Sequence, residues 1–136
     1  MADKSSVFLK RAKKMAEKSP FYRQRIGCVV TYKGKIISAG FNSNKTHPIQ
    51  RQYNRIRFEE TGSPDSLHAE IHALSQIQNL EIDWNKVTVY TYRIMKSREF
   101  GLAKPCKSCM AYIKSLGIKH ICYTTNDGFA HEYLIY

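Results

Sequence analysis

The 136-residue sequence has little that would staple a chain or anchor it. Four cysteines and one tryptophan are present. Cys28 and Cys122 stand singly in strand-like runs, while Cys106 and Cys109 form a C-x-x-C pair, so a secreted disulfide framework is not expected. No apolar run approaches the roughly 20 residues that cross a bilayer, and the first residues, MADKSSVFLK, lack the apolar stretch of a secretory leader. No membrane partner is expected, and a cytoplasmic location with reduced thiols is. Internal repeats and low-complexity tracts are absent, which excludes a repeat array. The length suits one compact domain over residues 1–136, able to bury a core without a metal staple. A metal would then serve function rather than folding alone.

Acidic residues are also scarce, 11 against 22 Lys and Arg, for a net charge of +11. The imbalance is lopsided. Residues 1–60 hold 14 basic against 4 acidic side chains, and residues 61–136 hold 8 against 7. Such a half favours polyanionic partners, because each phosphate neutralised releases counterions. A well-solvated basic surface that only aids solubility explains the same numbers.

Hydrophobic periodicity sets out an α/β chain. Phe8, Ala12, Met15 and Ala16 recur at helical spacing among lysines, predicting an amphipathic helix over residues 5–18 that stops before Pro20. Residues 26–32 and 35–41 read as strands joined by Lys33-Gly34, a hairpin connection. Residues 42–66 are long, polar and interrupted by Pro48 and Pro64, predicting a substrate-facing insertion with a short helix over residues 50–60. Asp65 or Ser66 would cap a helix over residues 67–79. A buried strand follows at 86–93, then a loop, then a helix over 106–116 with Pro105 as first helical residue and Gly117 just past its end. Residues 118–124 and 129–136 read as two final strands, separated by the turn signal Asn126-Asp127-Gly128.

Two short segments carry chemistry, and each begins a predicted helix. They are His68-Ala69-Glu70 and Pro105-Cys106-Lys107-Ser108-Cys109. One imidazole and two thiolates make a three-ligand zinc set with the fourth position left for water, which a catalytic rather than a closed structural zinc needs. The i, i+3 spacing of Cys106 and Cys109 lets both sulfurs reach one ion. Glu70 need not bind the metal and can move a proton between water and a leaving amine. C-x-x-C alone also fits a redox pair, and His72, four residues after His68, could close the site as a structural Cys2His2 centre in a nucleic-acid-binding module.

In order, H-A-E, a gap of 34 residues and P-C-x-x-C resemble the cytidine and deoxycytidylate deaminase superfamily. The likeness runs from about Ile26 to Tyr123 and includes Gly40-Phe41-Asn42 at the end of the second strand. It implies a three-layer α/β/α fold around a mixed five-stranded sheet, with zinc as cofactor. His68, Cys106 and Cys109 would be the ligands and Glu70 the proton carrier. Asn42 and the backbone around Ala69 would contact the substrate, and self-association is common in such a family.

The substrate is the finer question. Arg51, Tyr53, Arg55, Arg57 and Phe58 interleave cations with aromatics, as tracking a single strand and stacking its bases require, so these residues are expected to bind substrate. Cytosine in single-stranded nucleic acid, DNA first, is therefore expected ahead of free dCMP or cytidine, where a few of these arginines would hold one phosphate. Residues 125–136 are too short for a helix and a strand, so the last two strands should form an antiparallel hairpin, the arrangement of the cytidine-type branch. That favours cytosine over the adenosine of tRNA.

Overall fold

A computed structural model describes residues 4–21, 24–45, 47–54, 66–96 and 101–136. Its elements in chain order are α1 (Ser5–Ala16), β1 (Gln24–Tyr32), β2 (Lys35–Phe41), α2 (Pro48–Asn54), α3 (Ala69–Ser75), a 3-10 turn at Trp84–Lys86, β3 (Val87–Met95), α4 (Lys107–Leu116), β4 (His120–Thr124) and β5 (Phe129–Tyr133). The strands form one sheet in the order β2-β1-β3-β4-β5. β1 pairs antiparallel with β2 and β3, β3 pairs parallel with β4, and β4 pairs antiparallel with β5. α4 lies in the connection between the parallel pair, as such a crossover requires.

Alternation along the strands makes two cores. Val29, Tyr90, Tyr92 and Cys122 face one side and pack with Phe8, Leu9 and Ala12 of α1. Cys28, Val30, Val87, Val89 and Ile121 face the other and pack with Ile71 and Leu74 of α3 and Ile113 of α4. Full burial of Ile71, Leu74 and Ile113 stabilises the fold by about 1.5–3 kcal/mol for each side chain. Two glycines let the layers touch. A Cβ at Gly27 would overlap the backbone of Ala12 and Ala16, and one at Gly40 would overlap that of Ala69 and Ala73. The β1–β2 turn places Lys33 as well as Gly34 at positive φ, 51° and 81°, as a two-residue hairpin of this hand needs.

Several predicted boundaries move. α3 begins at Ala69 with His68 as its N-cap, rather than being capped by Asp65 or Ser66, and helical hydrogen bonding gives way to turns after Ser75. Pro105 precedes the cap instead of opening α4, because Cys106 holds the extended cap position. Gly117 is left-handed at φ 93°, as expected of a residue ending a helix. α2 starts at Pro48, and the rest of the predicted helix over residues 50–60 lies outside the described residues, as do Arg55, Arg57 and Phe58. The C-terminal hairpin is present, ending at Tyr133 rather than at residue 136. No helix of the described residues is long and apolar enough to cross a membrane.

Candidate active site

Two helix starts meet behind the sheet. His68 caps α3 and Cys106 caps α4, so both side chains leave the chain where the backbone turns from extended to helical. Three attachments fix His68. Ser43 and Leu67 exchange backbone hydrogen bonds of 2.9 and 3.0 Å, tying the approach to α3 onto the end of β2. The amide of His68 donates to Oε1 of fully buried Gln50 at 2.9 Å, and Gln50 Nε2 donates to Asn54 at 2.7 Å. Gln50 thus joins α2 to the site, a role its polar sequence neighbourhood did not signal.

His68 Nδ1 lies 3.5 Å from Cys106 Sγ and 3.3 Å from Cys109 Sγ. Tetrahedral zinc, with bonds of about 2.0–2.1 Å to nitrogen and 2.3 Å to sulfur, places such atoms about 3.5–3.6 Å apart. All three donor atoms lie within 4.8 Å of one another. The charges point the same way. Cys106 is pulled down to about 3, first by the hydrogen bond from the Cys109 thiol and against the effect of burial, while Cys109 is pushed up by that same bond and by burial. The pair therefore shares one negative charge beside Glu70, whose carboxyl is pushed up to about 7 by burial and then by the Cys106 thiolate. Two thiolates and a carboxylate can all ionise here only around a cation, so the residues fit a zinc ion.

His72 does not join this cluster. Its Nδ1 lies 3.1 Å from both the amide nitrogen and the carbonyl oxygen of Phe41, and its ring meets that of Phe41 edge-on at 5.1 Å. One helical turn after His68, it faces β2 rather than the sulfurs, which corrects the closed Cys2His2 alternative. Cys28 and Cys122 are buried in different cores, and no disulfide joins any cysteine.

The cluster opens onto a cavity of about 680 Å³. It is lined by His68, Ala69, Glu70 and Cys106, by Phe21, Gln24, Ile26, Asn42 and Ser66, and by Arg93 and residues 102–104. Asn42 is buried, its Oδ1 accepting from the Ile26 amide at 2.9 Å and its Nδ2 donating to the Gln24 carbonyl at 2.8 Å. Its first task is to close the end of β1, with the cavity beside it. Arg51 is exposed and Tyr53 packs its ring 5.2 Å from that of Tyr112 on α4. Neither lines the cavity. Arg93, Lys104 and Phe21 were not foreseen from sequence as site residues, although a cation ending a buried strand just before the loop to P-C-x-x-C was a usable signal.

Residues 2–125 match the family model described as the cytidine and deoxycytidylate deaminase zinc-binding region. The chain belongs to this family. It is a zinc-dependent deaminase of cytosine-type substrates. Among solved structures it is similar to the dCMP deaminase of the cyanophage S-TIM5 in apo form, with a TM-score of 0.64 at 21% identity over 92% of this chain and 86% of that one. The same phage enzyme in complex with dCMP and dUMP gives 0.64 at 18% identity, covering 92% and 84%. Cytidine deaminase from Burkholderia pseudomallei gives 0.63 at 16% identity, covering 98% and 93%. These likenesses give the deaminase its fold. No curated protein sequence matches the chain.

Proposed function

We propose that the protein hydrolyses the amino group of cytosine in single-stranded nucleic acid, DNA first, to leave uracil. Zinc held by His68, Cys106 and Cys109 would polarise a water at the open ligand position. Glu70, buried beside those ligands, takes a proton from the attacking water and returns it to the departing nitrogen. The new C–O bond forms at C4, the C4–N bond breaks, and ammonia leaves. Ala69 and Asn42 line the cavity where the base edge would lie, and the aromatic and aliphatic wall of Phe21 and Ile26 suits a flat heterocycle. The direct β4–β5 hairpin supports cytosine over adenosine.

One observation carries the polynucleotide reading. A groove of about 480 Å³ lies between α1 and the β4–β5 hairpin, lined by Lys10, Lys13, Lys14, Tyr92 and Phe129, with the Phe129 ring about half exposed. Tyr92 lines the groove and the next residue of β3, Arg93, lines the cavity, so the two lie on opposite faces of the sheet at the same end of β3. A strand whose target base sits in the cavity would pass round the end of β3 to lay its phosphates along the lysines and stack a base on Phe129. Free dCMP is the second reading, favoured by the bounded cavity and by Tyr53, whose packing on Tyr112 removes the ring assigned to base stacking. The unbridged thiols, three of them buried, support a reducing, cytoplasmic setting.

Incubating the zinc-loaded protein with cytidine, dCMP and single-stranded oligonucleotides, with ammonia and uracil as readouts, tests both. Uracil in oligonucleotides is expected. Turnover of dCMP alone would replace the first reading with the second.

A further inference from the structure

Arg93 lines the cavity as a cation with no acidic partner among the described residues. Its backbone is held on two sides: its amide donates to Thr124 Oγ1 at 3.2 Å, and its carbonyl accepts from the Gly101 amide at 3.0 Å. Of the five guanidinium N–H donors, Nη1 reaches the Leu102 carbonyl at 3.3 Å, while Nε is buried with no acceptor. No carboxylate pairs with Arg93 among the described residues. The neighbouring Lys104 differs, since its ammonium lies 3.4 Å from Glu132. A half-buried guanidinium with an unsatisfied donor loses hydration without gaining a partner, and proteins seldom hold a charge that way unless a ligand completes it.

We propose that Arg93 is the phosphate anchor of the substrate site, gripping a phosphate attached to the cytosine nucleoside and choosing nucleotides over nucleosides. This deepens the cytosine-deaminase reading and rests on it. With Nη1 on the Leu102 carbonyl and Nε buried, the Nη2 donors are left to bind a phosphate oxygen in the cavity that Arg93 lines. Position supports the assignment. Arg93 and Glu70 line the same cavity from different elements, so a base over Glu70 leaves its sugar and phosphate to reach the wall. The phosphate can be the monophosphate of a free nucleotide or the diester beside the target base in a strand, and both present the same oxygens.

The test compares wild type, Arg93→Gln and Arg93→Lys, each checked for zinc content and thermal unfolding, on deoxycytidine, dCMP and a single-cytosine oligonucleotide. In Arg93→Gln the preference for dCMP over deoxycytidine, as the ratio of kcat/KM values, should fall at least about tenfold, chiefly through KM, and Arg93→Lys should recover part of it. Inorganic phosphate should compete with dCMP in wild type and lose that effect in Arg93→Gln. A free-nucleotide source shows as a drop on dCMP alone. A strand source shows as a drop on the oligonucleotide, with a salt dependence of binding shallower by about one phosphate. An equal loss on deoxycytidine and the phosphorylated substrates, or no loss on any, overturns the proposal. Binding separates this from the deaminase reading. If no cytosine is turned over, tighter binding of dCMP than of deoxycytidine that vanishes in Arg93→Gln upholds the phosphate anchor, and equal binding overturns it.

Discussion

The side chains positioned to hold a metal leave the chain at the starts of two helices, whereas the rest of the cavity lining comes from strand ends and loops far apart in sequence. His68, Cys106 and Cys109 need only two local motifs and one crossover to meet, and their nitrogen and sulfurs already lie 3.3–3.5 Å apart. The wall needs the whole sheet. Asn42 ends β2 while binding β1, and Arg93 lies in β3 while its side chain is steered by a loop carbonyl. Chemistry that tolerates little geometric error is built from short motifs on rigid elements, and substrate choice is spread over surfaces that can vary separately.

The sharpest way to break that division is at the centre. Cys109→Ala should lose stoichiometric zinc by metal analysis and abolish deamination, while His72→Ala, turned toward Phe41, should retain the metal. Full zinc in Cys109→Ala would mean that the ligand set is wrong. Glu70→Gln comes next. It should keep zinc and fold but lose at least about a hundredfold in rate, because an amide cannot carry the proton. A variant turning over at near wild-type rate would assign the proton to another group.

The wall should respond differently. Asn42→Ala strands the Ile26 amide and the Gln24 carbonyl, so it should destabilise the protein by about 1–3 kcal/mol in denaturant unfolding while leaving zinc in place. Unaltered stability would show that water takes over both bonds. For the groove, replacing Lys10, Lys13 and Lys14 together by Gln should lower the salt slope of oligonucleotide binding by about 0.7 for each phosphate no longer neutralised. The same triple variant should leave dCMP turnover as it was. Equal slopes in variant and wild type would remove the groove from the path of the strand.

What could be read in the sequence follows the same division. The H-A-E and P-C-x-x-C motifs identify the centre because catalytic zinc demands particular donors at close spacing. The five strands and α1 are visible because their alternation matches burial on the two sides of the sheet. Gln50 was hidden, since a buried glutamine beneath a histidine cap looks like any residue of a polar stretch until α2 is packed. Arg93 was hidden too, read as the end of a strand, because its place in the cavity and its lack of a carboxylate partner among the described residues are tertiary facts. Tyr53 misled for the opposite reason: an aromatic among arginines resembles a stacking platform, but tertiary packing turns it onto Tyr112.

The smallest expected effect lies beyond the cavity wall, in the bonds that tie β5 to the loop leading to the C-x-x-C pair. Glu132 on β5 accepts the Tyr123 hydroxyl at 2.8 Å and lies 3.4 Å from Lys104, two residues before Cys106. The hydrogen bond from Tyr123, outweighing burial, and then Lys104 hold the Glu132 carboxyl below its ordinary value. A depressed carboxyl contributes stability that is present above its unfolded value and is lost as pH falls through the folded one, so this contribution should fade below about pH 4.5. Tyr123 acts at the other end. Burial, then Glu132, pushes its phenol up to about 12, so its share persists below pH 10 and is lost as pH rises through that value. Both side chains of the ion pair are more than a third exposed, and screening limits their joint contribution to at most about 1 kcal/mol. In urea titrations Glu132→Gln should therefore cost a few tenths of a kcal/mol at pH 7 and nothing near pH 3, with zinc content unchanged at neutral pH. A cost that persists undiminished at pH 3 would show that Glu132 acts through packing rather than charge.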